Sequence, residues 1–254
     1  MKVMEAVMME KRIEKTVEWI REIVGASKTD GILVGLSGGI DSAVVGFLIK
    51  KAFPENSLGV ILPCKSSPKD AEDAKALAEA SGLDYFTVDL TDVQGQLLKN
   101  TVDAMGTHKK ENLMRLTDAN LRARMRMSTL YAVANANNYL VAGTDNAAEV
   151  YTGYFTKYGD GGVDLLPIAS LTKREVYEWA RHLGVPQSIL DRAPSAGLWE
   201  GQTDESEMGT TYAMIDDLIE GKEIPDKDRS IIENLHARTE HKRIMPPACP
   251  SFRE

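Results

Sequence analysis

Ser37, Gly38, Gly39, Ile40, Asp41 and Ser42 are the residues of this chain whose types and order most clearly suggest chemistry. An apolar run at 32–36 precedes them and reads as a buried strand, and residues 43–51 continue as a helix. In an open α/β sheet, ligands bind where such a loop joins a strand end to a helix start. Unpaired N–H groups and the positive dipole end of a helix suit phosphate. Two adjacent glycines let the backbone approach an anion and take positive φ. The two serines add hydroxyl donors. Asp41 would repel a bare phosphate, so its presence makes sense when a divalent cation bridges it to the phosphates. The competing reading is a tight strand–helix turn with Ser or Asp as the cap.

A second loop has the same logic. Residues 143–149, Gly-Thr-Asp-Asn-Ala-Ala-Glu, close an apolar run at 139–143. That places Thr144 and Glu149 at the sheet edge that carries the first loop. Asp41 and Glu149 then form a carboxylate pair suited to Mg²⁺, which takes one or two carboxylates plus substrate phosphates. The competing reading is helix capping by Asp145 with Glu149 in solvent.

These loops need a frame, and the chain supplies alternating patterns. Helical periodicity covers 10–24, 68–80, a stretch from about 93, 112–135, 173–183, 210–220 and 226–243. Strand patterns cover 32–36, 57–63, 85–89, 139–143 and 164–168. Pro68 near a first turn and Gly82 past an end bracket one helix. Strands separated by helices predict an α/β fold. It is a doubly wound, mostly parallel, five-stranded sheet flanked by helices, with further helices at the C-terminus. The polar segment 199–208 is a candidate lid. The whole chain, 1–254, reads as a single domain.

Composition sets bounds. The chain has 254 residues and a net charge of −8, with ordinary hydrophobic content of 43 %. The acidic balance argues against a nucleic-acid partner. No apolar run is long enough to cross a bilayer, and no signal peptide precedes the first helix, so no membrane role is expected. Cys64 and Cys249 make no CxxC pair, which argues against a zinc site or disulfide framework and suits a cytoplasmic setting.

The first loop is not of the GxxxxGK[ST] kind, because no Lys follows its glycines. It resembles the SGG-x-DS signature, or PP-loop, of the ATP pyrophosphatases, whose fold is of the adenine nucleotide alpha hydrolase type. Further segments narrow the likeness. They are residues 120–126 (Asn-Leu-Arg-Ala-Arg-Met-Arg), 143–149, 153–161, 167–173 and 194–205, with His241, Lys242 and Arg243. In that order they resemble the short, ammonia-dependent NAD⁺ synthetases. Ile40 departs from the Gln that many members carry, and its side chain is expected to point toward the core.

The resemblance implies an ATP site at Gly35, Leu36, Ser37, Gly38, Gly39, Ile40, Asp41 and Ser42, with Thr144, Lys173 and Ser195. It implies Mg²⁺ at Asp41 and Glu149. It implies that Arg124, Lys157, Asp164, His241 and Lys242 hold nicotinic acid adenine dinucleotide. Lys173 suits phosphate as a point charge. Otherwise it is a first-turn helix Lys set against the dipole, a conflict that a bound phosphate would remove. Arg122, Arg124 and Arg126 cannot share one helix face, so one or two serve the site and the rest are solvated.

The implied reaction is amidation. Attack of a carboxylate on the α-phosphorus of ATP gives an acyl-adenylate and pyrophosphate, and ammonia then displaces AMP. Asp41 and Lys173 are the catalytic candidates, with Asp164 a candidate base. With the loop starting near residue 35, no glutaminase domain fits before it, so free ammonia is the expected donor. The family also implies a homodimer, for which helix 112–135 with Leu113, Leu116, Leu121, Met125 and Leu130 is the candidate interface. Its alternative is packing on the sheet. The competing functions are a tRNA-modifying PP-loop enzyme and a non-catalytic ATP-binding module.

Overall fold

The computed structural model describes residues 2–192 and 203–251. After α1 (Lys2–Ser27) the chain enters β1 (Gly31–Gly35), whose residues are buried apart from the half-buried Gly35. An unbroken apolar run is what a strand covered on both faces requires. The chain returns through α2 (Ile40–Ala52) to β2 (Ser57–Ile61), then through α3 (Pro68–Ser81) to β3 (Asp84–Thr87). Ser67 caps α3 in a reciprocal box with Asp70, and Gly82 ends it in the left-handed region. Two helices follow, α4 (Thr91–Met105) and α5 (Met114–Asn137), and lead to β4 (Tyr139–Ala142).

All four strands are parallel, in the order β3-β2-β1-β4. Ile32 of β1 pairs with Ser57 on one side and Leu140 on the other. The order reverses between β1 and β4, which opens a crevice at their C-terminal ends.

The remaining elements are α6 (Ala147–Thr152), α7 (Lys173–Leu183), α8 (Gln187–Leu190), α9 (Asp204–Met208), α10 (Tyr212–Ile219) and α11 (Asp226–Arg238). A 3₁₀ turn at Glu240–Lys242 follows α11, so the expected helix over 226–243 is a helix and a separate turn. Ile32 and Val34 join the apolar cluster built with α1, α2 and α7, while Leu33 meets Ala134 of α5 and Val141 of β4. Alternate residues of β1 thus serve opposite layers.

The sheet has four strands among the described residues, one fewer than expected. Segment 164–168 makes a single parallel bridge, Ala142 to Leu165. Asp164 N donates to Val141 O, and Gly143 N donates to Leu165 O. Pro167 has no N–H to continue the ladder. Among the described residues no helix is long and apolar enough to cross a membrane.

Candidate functional site

The loop after β1 is shaped by Gly38, at φ +78°; a Cβ there would lie 2.6 Å from Asp70 O. Only glycine meets both demands. Gly39 precedes the first turn of α2 with no side-chain cap, so its N-terminal amides are left for a ligand. The loop braces itself from within. Ser42 Oγ donates to Gly39 O at 2.9 Å, Ser37 and Ser42 hydroxyls lie 3.1 Å apart, and Gly39 N donates to Ser37 Oγ at 3.2 Å. Ile40 is buried in the core cluster, as its position suggested.

The loop after β4 is built around Asn146. Its Oδ1 accepts from Ala148 N and Glu149 N, while Glu149 Oε2 accepts from Asn146 N. Asn146, not Asp145, is therefore the cap of α6. Its Nδ2 donates to Asp41 Oδ1 at 2.9 Å, joining the two loops across the switch point. Glu149 is not solvated, because its side chain is only 14 % exposed.

Lys173, the first residue of α7, closes the group. Its Nζ lies 2.6 Å from Asp41 Oδ2 and 3.7 Å from Glu149 Oε1, with 4 % exposure. The conflict between a cation and the helix dipole is relieved here by carboxylates. Besides Asp41 and Glu149, Asp216 accepts from Lys173 N and Arg174 N at 3.0 Å each. Tyr212 OH lies 3.1 Å from Glu149 Oε1 and 3.0 Å from Asp204 Oδ2, and the Lys173 ammonium sits 4.7 Å from the Tyr212 ring centre.

Burial, then the Asp41 charge, pushes the Glu149 carboxyl up to about 8. For Lys173 burial favours the neutral amine, but Asp41 and Glu149 outweigh it and hold the ammonium above its usual range. Burial, then Glu149 and Asp204, raises the Tyr212 hydroxyl. Among the described residues no group of three or more His, Cys, Asp or Glu is set up as a metal cage.

These residues line a cavity of about 780 Å³, within the roughly 300–1,000 Å³ of small-molecule sites. It contains Gly35 to Ser37, Gly39 to Ser42, Thr144, Glu149 and Lys173, and continues to Arg124, Lys157, His241 and Lys242. In this second part Arg124 donates to Lys157 O, Lys157 Nζ to His241 O, and Lys242 Nζ to Gly153 O and Phe155 O. Phe155 lines the cavity, whereas Tyr158 is 54 % exposed.

Two expected residues are not brought in. Ser195 lies outside the described residues. Asp164 is exposed at the outer edge of β4. It accepts from Tyr131 OH at 3.0 Å and Val141 N at 2.8 Å, and it is absent from the cavity lining. Of the three neighbouring arginines, Arg124 and Arg126 reach the cavity. Arg122 is not solvated, but buried against Asp118.

Two residues of the cavity or its wall, Asp204 and Tyr212, were given no site role from the sequence, Asp145 was read only as a cap, and Arg126 only as one of three arginines of which one or two serve the site. Arg126 donates to Leu62 O and Ser66 Oγ. A reciprocal cap, Asn146 to Glu149, is a signal that would have revealed α6. The others are assembled only by the fold.

A phosphate-suited strand–loop–helix and an acid–base cluster at a parallel-sheet switch point define a nucleotide-binding protein of the doubly wound α/β class. The comparisons agree and are narrower. A family model described as NAD synthase matches residues 12–246, and the chain belongs to that family. The NH(3)-dependent NAD(+) synthetase of Alkaliphilus metalliredigens is 61 % identical over 238 residues, 93 % of this chain and 96 % of the relative. That of Carboxydothermus hydrogenoformans is 51 % identical, over 93 % and 96 %. Among solved structures, an NMN synthetase from Francisella tularensis aligns with TM-score 0.89 at 40 % identity, covering 96 % of this chain and 99 % of that one. The NH3-dependent NAD synthetase of Campylobacter jejuni aligns with TM-score 0.76 at 30 % identity, over 95 % and 99 %.

Proposed function

We propose that the chain amidates nicotinic acid adenine dinucleotide with ammonia, using ATP and forming NAD⁺, AMP and pyrophosphate. The observation that carries this reading is the Asp41–Lys173–Glu149 cluster beside the β1–α2 loop, joined through one cavity to Arg124, Lys157, His241 and Lys242. A carboxylate cannot expel oxide when ammonia attacks, so it first needs a leaving group. Its oxygen attacks the α-phosphorus of ATP, the bond to the bridging oxygen breaks, and pyrophosphate departs. The amides at 40–42 and the Lys173 ammonium face the charge that develops on the departing group. Ammonia then attacks the acyl-adenylate, and AMP leaves.

Asp41 and Glu149 fit Mg²⁺. Both are hard oxygen donors, and burial, then the neighbouring Asp41 charge, raises the Glu149 carboxyl. When bound there, the ion would neutralise phosphate charge. Water would destroy the adenylate, so the site must close. Segment 199–208 is the proposed lid. Its residues 199–202 lie outside the described part, and Asp204–Met208 is a short helix with Asp204 and Met208 buried.

A homodimer through the α4–α5 side fits this reading. Val93, Leu97, Leu113 and Leu116 are 45–61 % exposed there, while Met125 and Leu130 pack on the sheet. Free thiols at Cys64 and Cys249 suit a cytoplasmic enzyme.

The test is pyrophosphate and NAD⁺ formation by the purified chain with ATP and Mg²⁺, with and without the dinucleotide. Ammonium should support NAD⁺ formation and glutamine should not. The high similarity to a structure described as an NMN synthetase favours a second reading, in which the carboxylate belongs to nicotinic acid mononucleotide. Comparing kcat/KM for the two acids decides between them.

A further inference from the structure

His241 and Lys242 stand near the end of the chain, where a segment is loose unless something ties it down. They lie on the one-turn 3₁₀ helix Glu240–Lys242, and the described residues 244–251 beyond it are all exposed. The turn needs an anchor. The Lys242 ammonium, which donates to Gly153 O and Phe155 O, is itself a group that a ligand in the cavity has to engage.

Arg243 is placed to be that anchor. It is half-buried, and it is absent from the cavity lining, which ends at Lys242. Its Nη1 is shared among Val150 O at 3.4 Å, Tyr151 O at 3.3 Å and Thr239 Oγ1 at 2.9 Å. Its Nη2 donates to His236 O. Val150 and Tyr151 belong to the last turn of α6, and His236 to the last turn of α11. Two helices thus direct carbonyls of their C-terminal turns at one cation. Such carbonyls carry the negative end of each helix dipole and are short of donors within the helix. A planar fork of N–H groups suits converging acceptors, whereas an ammonium would meet them as a point charge.

The join between the two helices is close. A Cβ on Gly153, which ends α6 at φ +65°, would lie 2.3 Å from Thr239 Oγ1. Thr239 Oγ1 also reaches Thr152 O at 3.0 Å. Thr239 begins the turn that carries His241 and Lys242, so the join sets where that turn starts. The first turn of α6 holds Glu149. Arg243 therefore ties the cation-bearing turn to the helix that presents a carboxylate to the phosphate side.

We propose that Arg243 is a positioning residue, whose guanidinium joins the C-terminal ends of α6 and α11 and so aims His241 and Lys242 into the cavity. The proposal rests on the amidation reading, in which those two residues hold the acid dinucleotide. Arg243 acts on the substrate only through them.

The test is Arg243→Gln, which removes the charge and the fork. The KM for nicotinic acid adenine dinucleotide should rise about tenfold, on the scale of coupling within one hydrogen-bond network. The KM for ATP and kcat should stay within about twofold of the wild type. Added to Lys242→Ala, the same substitution should raise the KM for the acid by less than about threefold, because an effect that passes through Lys242 is lost with it. Calorimetric titration of the dinucleotide should give the same pattern in Kd.

An unchanged KM for the acid, an equal rise in both KM values, a fall in kcat at saturating acid, or additive effects of the two substitutions overturns the proposal. Arg243→Lys, which keeps the charge and loses the fork, is read the same way if the Gln variant does not fold. Unfolding by both variants assigns Arg243 to the fold alone and overturns the proposal as well. Wild-type protein that neither binds the dinucleotide nor forms NAD⁺ from ammonium overturns the amidation reading itself.

Discussion

The two parts of the cavity are built on different principles. On the phosphate side the functional groups hold one another side chain to side chain: Asn146 to Asp41, Asp41 to Lys173, Glu149 to Tyr212, Tyr212 to Asp204. On the other side Arg124, Lys157 and Lys242 reach for backbone carbonyls, and His241 sits on an exposed turn. The first arrangement is buried and fixed before any ligand arrives, which is what electrostatic stabilisation of a transition state requires. The second is a set of half-buried and exposed basic side chains, suited to affinity for a large anionic ligand. The lesson is that, on the proposed function, chemistry and recognition are separated in space and in the kind of support each receives.

That contrast sets the order of expected effects. Asp41→Asn and Glu149→Gln should each abolish turnover while circular dichroism shows an intact fold, if both carboxylates hold one Mg²⁺ as proposed. Wild-type-like pyrophosphate release by either variant breaks the assignment. Lys173→Met should lower pyrophosphate release by about 10²–10³-fold. It should also cost about 3–5 kcal/mol in urea unfolding, because two carboxylates lose their buried partner.

Arg124→Ala and Lys157→Ala should act on binding alone. The KM for the acid substrate should rise about tenfold, or about 1.4 kcal/mol, with the KM for ATP unchanged. A loss in kcat instead would show that the two parts are not separable. The smallest change is in hydrogen exchange over 199–209, where ATP and the dinucleotide together should raise protection. The gain should fall mainly on 199–203, because Asp204–Met208 is already packed. Equal protection with and without both ligands removes the lid. The rate of amidation should also climb with pH toward the pKa of ammonium, since only the neutral amine attacks.

Much of this could be read from residue order. The loop at 35–42 sits between β1 and α2 as the pattern required. The helix starting at Lys173 is bracketed as observed, because Thr172, Glu175 and Gly184 are strong local stop and start signals. What escaped depends on contacts between distant segments. Tyr212 meets Glu149 across 63 residues and Asp204 across 8, and no local pattern announces that. Asp145 was weighed as a helix cap, because Asp is a good cap in isolation; Asn146 takes that position and leaves the carboxylate to the cavity. The stretch 164–168 reads as a strand by pattern, but it makes one bridge, and Pro167 has no N–H to extend it.

That single bridge has a consequence at the other margin of the sheet. At β4 the backbone of Asp164 and Leu165 occupies the outer hydrogen-bonding groups, so that margin is hemmed. At β3 all four residues are exposed and, among the described residues, only β2 pairs with it. Tyr85 and Phe86 stand 37 % and 39 % exposed on that open strand. A chain with one sealed and one open margin adds strands in one direction only. For anyone who produces or concentrates this protein, β3 is therefore the place where precipitation would begin, and a Lys at Tyr85 or Phe86 is the change that should delay it.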